Sequence, residues 1–319
     1  MRGLAPLLAV GVILLALAAS RLGTYPVYLM SLAMINIIAA IGLNLLTGNS
    51  GQISLCHSSF IAIGAYGSAL MTARFAIPFW LSIPAGAALS ALIGALLGAP
   101  ASRLRGIYLA VATLGFLQIV QIVIEEFADV TGGVRGLTIP KAEFLGVRVS
   151  DYGRFLIVLG CCAFAIWTAR NLLASRVGRE LDAVRLSPHA AQALGVSVRR
   201  VRLGAFALAA AYAGLAGGLL AIVVGFIDPV EFGVSASLRQ ITFIVVGGMG
   251  SVGGAVLGAA VLSALPEVLR PVKEYSDVIY TLILLAFLIL MPHGLITVWR
   301  GAMRRLRLPA TGAVAEARR

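Results

Sequence analysis

The sequence predicts an all-α, polytopic integral membrane protein of about eight to ten transmembrane helices, with one glycine-broken segment and one long polar loop. Three observations predict it. Of 319 residues, 60% are hydrophobic and 12% charged, with a mean hydropathy of +0.99; a soluble domain is about 45 to 50% apolar and about 25% charged. Apolar runs recur near residues 4–20, 26–47, 52–73, 78–98, 106–126, 155–173, 203–226, 237–262 and 277–298, and about 20 residues cross a hydrocarbon core. The longest polar island, Arg170 to Arg202, carries seven arginines against Glu180 and Asp182.

At the N-terminus, Arg2, an apolar run and the small residues Ala16 and Ala18 have the outline of a signal peptide. A second apolar run follows at once from Pro26, so the segment reads as an uncleaved first span, with cleavage as the alternative. Where the second and third runs meet, Asn44, Thr47, Asn49, Gln52, Ser54, His57 and Ser58 are concentrated beside Gly48 and Gly51. Irregular polar backbone at membrane depth is tolerated where it is buried in protein or lines a watery cavity. The stretch is therefore a candidate for a translocation path, against the plainer reading of a turn followed by small packing residues. Thr113, Gln118 and Gln121 lie inside the fifth run and suit hydrogen bonds between helices.

Residues 128–153 mix Gly, Pro and both charge signs, as an ordered loop with short elements does. A loop of that length suits contact with an external partner. The eighth run is interrupted at Val246 to Gly254 and reads as a re-entrant pair or two short crossings. Gly-interrupted segments in each half of a transporter point to a central pathway, which brings in Gly248 and Gly250; close helix approach is the alternative role for these glycines.

Placing the 170–202 loop in the cytoplasm, with the eighth run passing down and back, puts sixteen basic residues on that side. They are Arg2, Arg103, Arg105, the seven of the loop, and the six arginines from Arg300 onward. The other nine bases fall outside beside ten of the thirteen acids, in keeping with the positive-inside bias. Leu181, Val184, Leu186, Ala190, Ala191, Leu194 and Val196 give the loop apolar positions that need a surface, so a partner is expected to dock there.

Several chemistries are excluded. Cys56, Cys161 and Cys162 lack metal or disulfide spacing and read as small packing residues. The only lysines, Lys141 and Lys273, follow no glycine-rich loop, so there is no phosphate cradle of an ATPase. No acid sits in the middle of a run, which removes the usual ion relay of a secondary transporter. No Ser/His/Asp or HExxH pattern supports an enzyme. These absences describe a passive translocation subunit driven from elsewhere. A gradient-coupled secondary transporter is the alternative, and a membrane-embedded enzyme a distant third.

Six blocks extend the reading: IGLNLLTGNSGQISLCHSSFIAIGAY (41–66), RLRGIYLAVATLGF (103–116), TGGVRGL (131–137), GRELDAVRLSPHAAQALGVSVRRVRLGAFALAAAYAGLAGGL (178–219), VGGMGSVGGAVLGA (246–259) and MPHGL (291–295). In them the chain resembles the permease subunits of branched-chain amino acid ABC importers, specifically the LivM-type member of the pair. The resemblance implies a single permease domain over 1–302, with a cytoplasmic coupling loop at 174–202 and a periplasmic loop at 127–154. A basic tail, 303–319, reads as disordered. It also implies a bacterial inner-membrane location with both termini cytoplasmic, and no cofactor or metal. The implied partners are a second, related permease, two cytoplasmic ABC ATPases, a periplasmic solute-binding protein and membrane lipid, without nucleic acid.

Gly178, Arg179, Arg185, His189, Ala190, Ala191 and Gly195 match the coupling region of that family. The HAAQALG run has the spacing of the EAAxxxG motif of other ABC permeases, with His189 where the acid usually stands. Asn44, Gln52, Ser54 and His57, with Gly248 and Gly250, are the expected pathway residues. Cys56 stands where the family often has glycine. The implied substrate is a branched-chain amino acid, with urea, short amides and other small solutes as related cargo.

Overall fold

The computed structural model describes residues 15–16, 19, 23–104, 106–139, 143–144, 147–270, 276–290 and 294–297. Most of the first apolar run, the question of its cleavage, Arg105, Lys141, Lys273, part of the MPHGL block and the basic tail lie outside them.

Helices account for most of the described chain. They are α1 (Thr24–Leu43), α2 (His57–Phe75), α3 (Phe79–Ala101), α4 (Ile107–Glu126), the single turn α5 (Ala128–Thr131), α6 (Asp151–Ala174), α7 (Arg176–Leu186), α8 (Pro188–Ala193), α9 (Val198–Val224), α10 (Val234–Gly247), α11 (Val252–Val268) and α12 (Ser276–Leu290). Among the described residues, five helical segments are each long and apolar enough to cross a membrane: α1 with its π-helical extension to Asn49, α3, α4, α6 and α9. The pair α10 and α11, bent by 119° at the break between them, brings the number to six if counted as one span. This is fewer than the eight to ten expected. α2 and α12 fall outside the count: α2 carries serines, glycines and Arg74, and α12 is described over 15 residues.

Packing follows from small residues. α9 is the central helix and lies against α1, α2 and α3. It presents Ala209, Ala210, Ala213, Ala216 and Gly217, all buried, to these neighbours. Without a hydrophobic drive between helices in lipid, close backbone approach supplies the attraction. A Cβ added to Gly217 would lie 2.8 Å from the Ala65 amide nitrogen, and one on Gly42 2.6 Å from Tyr212 Cβ. α4 and α6 stand at the rim and expose Val111, Ile119, Phe164 and Trp167.

Two helix boundaries depart from the apolar runs. The run at 52–73 becomes helical only at His57, because residues 50–56 are irregular and tied into the bundle. α9 starts at Val198, five residues before its run, so Arg199, Arg200 and Arg202 sit on helix.

Contacts at the termini define two ends of the bundle. At one, Tyr25 donates to Glu267 (2.7 Å) and receives from Arg270 (2.9 Å), Arg154 pairs with Asp151, and Arg74 bonds the Asp129 carbonyl. Residues 128–139 lie over this end. β1 (Leu137–Thr138) pairs antiparallel with β4 (Phe226–Ile227), Leu137 opposite Ile227, and β2 (Glu143–Phe144) pairs with β3 (Val147–Arg148). At the other end stand α7, α8 and the α1–α2 connection, where Arg202 bonds the Ser102 carbonyl at 3.1 Å.

Candidate functional site

The two helix breaks meet at the α7–α8 end. α1 runs on into a π-helical turn, Asn44–Asn49, a form that often marks functional positions. The widened turn lets the Asn44 side chain reach the other break, where Oδ1 accepts from the Gly250 amide at 2.8 Å. Asn49 Nδ2 donates to the Gly250 carbonyl at 3.2 Å. Only glycine fits at Gly48, where a Cβ would lie 2.5 Å from the Gly250 nitrogen. The chain then turns at Gly51 (φ +72°) and re-enters the bundle, with Leu55 N–H donating to Thr113 Oγ1 at 3.0 Å.

α7 closes this junction from outside. An added Cβ on Gly51 would lie 3.3 Å from Arg185 Cγ, and one on Gly250 (φ +82°) 2.8 Å from Arg185 Nη1. One arginine of the polar island thus lies against both breaks.

The island itself is a helix–turn–helix. Ser175 caps α7, bonding the Val177 amide, and Ser187 caps α8, bonding the Ala190 amide. Gly178 is buried at the α6–α7 corner, where a Cβ would come within 2.5 Å of Leu173 Cα. Arg179 is exposed and its Nη1 lies 3.5 Å from the Ala174 carbonyl. His189 and Ala190 are exposed, Ala191 is buried, and Gly195 (φ +80°) ends α8 in open space. The apolar positions of the island do not all await a partner. Leu181, Val184 and Ala191 are buried, the last two in a small cluster with Val198, whereas Leu186 and Leu194 remain 85% and 81% exposed.

Of the expected pathway residues, Asn44, Gln52, Ser54, His57 and Gly248 are buried and Gly250 is half-buried. Gln52 Nε2 donates to Ser50 Oγ at 2.8 Å and to the Arg202 carbonyl at 3.4 Å, and Ser54 Oγ lies 3.3 Å from Cys56 Sγ. His57 Nε2 is 2.9 Å from the Ala39 carbonyl; since a carbonyl only accepts, that nitrogen carries the proton. Its Nδ1, and Gln52 Oε1, have no hydrogen-bond partner among the described residues.

None of Asn44, Gln52, Ser54, His57, Gly248 or Gly250 lines the cavity that lies deeper among the helices. That cavity, of about 510 Å³, lies among α1, α2, α9, α10 and α11, and its polar wall is Asn36, Ser58, Glu231, Arg239, Gln240 and Ser263. Sequence reasoning missed these except Ser58. Asn36, Gln240 and Ser263 come from three separate helices and form one relay: Gln240 Nε2 donates to Asn36 Oδ1 (3.2 Å) and Asn36 Nδ2 to Ser263 Oγ (3.0 Å). A cation near the start of an apolar run, Arg239, was the available signal.

Residues 25–290 match the family described as "Branched-chain amino acid transport system / permease component". Over 299 residues the chain is 34% identical to the high-affinity branched-chain amino acid transport system permease protein LivM of Escherichia coli, covering 86% of this chain and 70% of the relative. It is 27% identical over 283 residues to the LivH permease protein of Salmonella typhimurium, covering 81% and 90%. It is 28% identical over 286 residues to the fructose import permease protein FrcC of Rhizobium meliloti, covering 84% and 76%. No solved structure matches.

Proposed function

The chain belongs to the permease family of branched-chain amino acid transport systems, and from that premise we propose that it forms one half of the membrane pathway of an ATP-driven importer. A second, related permease completes the pathway, two cytoplasmic ATPases drive it, and a periplasmic binding protein delivers the solute. The cargo is a branched-chain amino acid, as the names of LivM and LivH support. Catalysis is assigned to the ATPase partners. The α7–α8 end faces the cytoplasm of a bacterial inner membrane, with both termini on that side, because the basic residues concentrate there. Eight crossings are completed by the N-terminal run, α2 and α12, while α10 descends and α11 returns beside them, which makes ten.

The observation that carries the coupling is the position of Arg185 against Gly51 and Gly250. A rigid push on α7 by an ATPase reaches both breaks at once, and packed elements of this kind move between discrete arrangements. Asn44, Gln52, Ser54, His57, Gly248 and Gly250 then form the cytoplasmic closure of the pathway, a reading that the Asn44–Gly250 bond between the two breaks supports. Arg179, His189, Ala190, Ala191 and Gly195 belong to the socket, where Leu186 and Leu194 are left for the partner to cover. Gly178 sets its angle to α6.

The test uses the assembled importer in proteoliposomes. Arg179→Glu, Arg185→Glu and Gly195→Trp should each abolish ATP hydrolysis stimulated by loaded binding protein, with the permease still in the membrane. Normal stimulation in all three would remove the loop from the coupling path.

A further inference from the structure

We propose that the cavity among α1, α2, α9, α10 and α11 is a binding site for a zwitterionic, aliphatic α-amino acid within this subunit. The proposal rests on the functional reading above and assigns that cargo a place on this chain. A cavity of about 510 Å³ is within the range of small-molecule sites, roughly 300–1,000 Å³.

Its wall has three chemically distinct parts. Arg239 lines the cavity, and its guanidinium makes no hydrogen bond or ion pair among the described residues. A charge on a membrane helix is expensive and ordinarily has a partner, a water-filled space or a ligand. Gln240, next to it and 6% exposed, spends its amide N–H on Asn36 and leaves Oε1 buried with no partner among the described residues. A buried acceptor without a donor costs about 1–3 kcal/mol, a deficit that an incoming ammonium group removes. Leu32, Ile35 and Phe243 supply the apolar wall.

A donor fork, an orphaned acceptor and an aliphatic surface in one cavity match the carboxylate, the ammonium and the side chain of a branched-chain amino acid. Guanidinium N–H groups donate to the carboxylate, and the ammonium donates to Gln240 Oε1. Ser263 Oγ, which accepts from Asn36, has its own proton to offer the carboxylate. Glu231, also on the cavity wall and without a side-chain partner among the described residues, draws the ammonium end inward. The Gln240–Asn36–Ser263 relay ties α10, α1 and α11 to the same occupant.

The experiment measures radiolabelled leucine bound to the detergent-purified, assembled importer without its binding protein, alongside leucine uptake and ATP hydrolysis in proteoliposomes with it. Expected is saturable binding displaced by valine and isoleucine, but not by leucinamide, which lacks the carboxylate, or 4-methylpentanoate, which lacks the ammonium. Arg239→Gln and Gln240→Leu each weaken it about tenfold or more, the scale of one lost charge-assisted bond, and Arg239→Lys retains most of it. Where Arg239→Gln fails to assemble, Gln240→Leu and the leucinamide competition decide. An importer that takes up leucine yet binds none without its binding protein, or binds it equally in both variants, overturns this site and leaves the functional reading standing. An assembled importer that hydrolyses ATP and takes up no branched-chain amino acid overturns both.

Discussion

The Gly250 amide donates to Asn44 Oδ1 at 2.8 Å, joining residues 206 positions apart. Each break supplies what the other lacks. The glycine-rich turn has an amide that its own helix cannot satisfy, and the π-helical turn has a side-chain acceptor free to meet it.

Asn44→Ala leaves that half-buried amide unpaired, at a cost up to the roughly 1–3 kcal/mol of a fully buried donor without a partner. Gly48→Ala is expected to be worse, because its Cβ would sit 2.5 Å from the Gly250 nitrogen and force the breaks apart. Thermal unfolding of the purified permease should rank wild type above Asn44→Ala and Asn44→Ala above Gly48→Ala. Equal midpoints for all three would mean that the breaks do not depend on each other.

The packing of α9 predicts a sharp contrast between glycines. Gly217→Ala would press on the Ala65 nitrogen at 2.8 Å, and overpacking costs about 1–3 kcal/mol. Gly115→Ala on exposed α4 meets nothing within 4 Å and should gain about 0.4–1 kcal/mol by restricting the unfolded chain. Size-exclusion profiles after graded heating would separate them. If Gly115→Ala is the more damaging, α4 is not the lipid-facing rim that its exposed side implies.

The first break was legible because eight polar residues and two glycines interrupt an apolar stretch within fifteen positions, 44–58, a density that simple helix packing does not require. The arginine island was legible for the same reason. The self-burial of Leu181, Val184 and Ala191 was not, because sequence shows that an apolar residue needs cover without showing what covers it. The cavity was hidden for a different reason. Asn36, Gln240 and Ser263 are single polar residues in three distant runs, each indistinguishable alone from a helix–helix hydrogen bond. Only the fold makes them neighbours.

The Ser58–Ser237 pair offers a test of the wall that α2 and α10 share. Ser237 Oγ accepts from the Ser58 amide at 3.1 Å and lies 2.6 Å from Ser58 Oγ. Ser237→Ala strips the first amides of α2 of this cap and should lower stability by about 1–2 kcal/mol. Hydrogen exchange at Ser58 and Ser59 should quicken in Ser237→Ala while α4 is unchanged. Unaltered exchange there would show that the α2 start is held by other contacts.

Arg185 and the glycines it touches permit a double-mutant cycle, which separates contact from general damage. Gly51→Ala introduces a Cβ 3.3 Å from Arg185 Cγ at a backbone φ of +72°, so it suffers both crowding and left-handed strain. Arg185→Ala removes the crowding and leaves the strain, which costs of order 1 kcal/mol. In the assembled importer, each single change should reduce ATP hydrolysis stimulated by loaded binding protein. The double variant should lose less than the two effects combined, since they act on one contact. Gly250→Ala meets Arg185 Nη1 at 2.8 Å, the mobile end of a long side chain, so its crowding is relieved more easily and its cycle with Arg185→Ala should show weaker coupling. Strict additivity in the Gly51 cycle would mean that α7 and the first break report to the ATPase independently, and that the push on the pathway enters elsewhere.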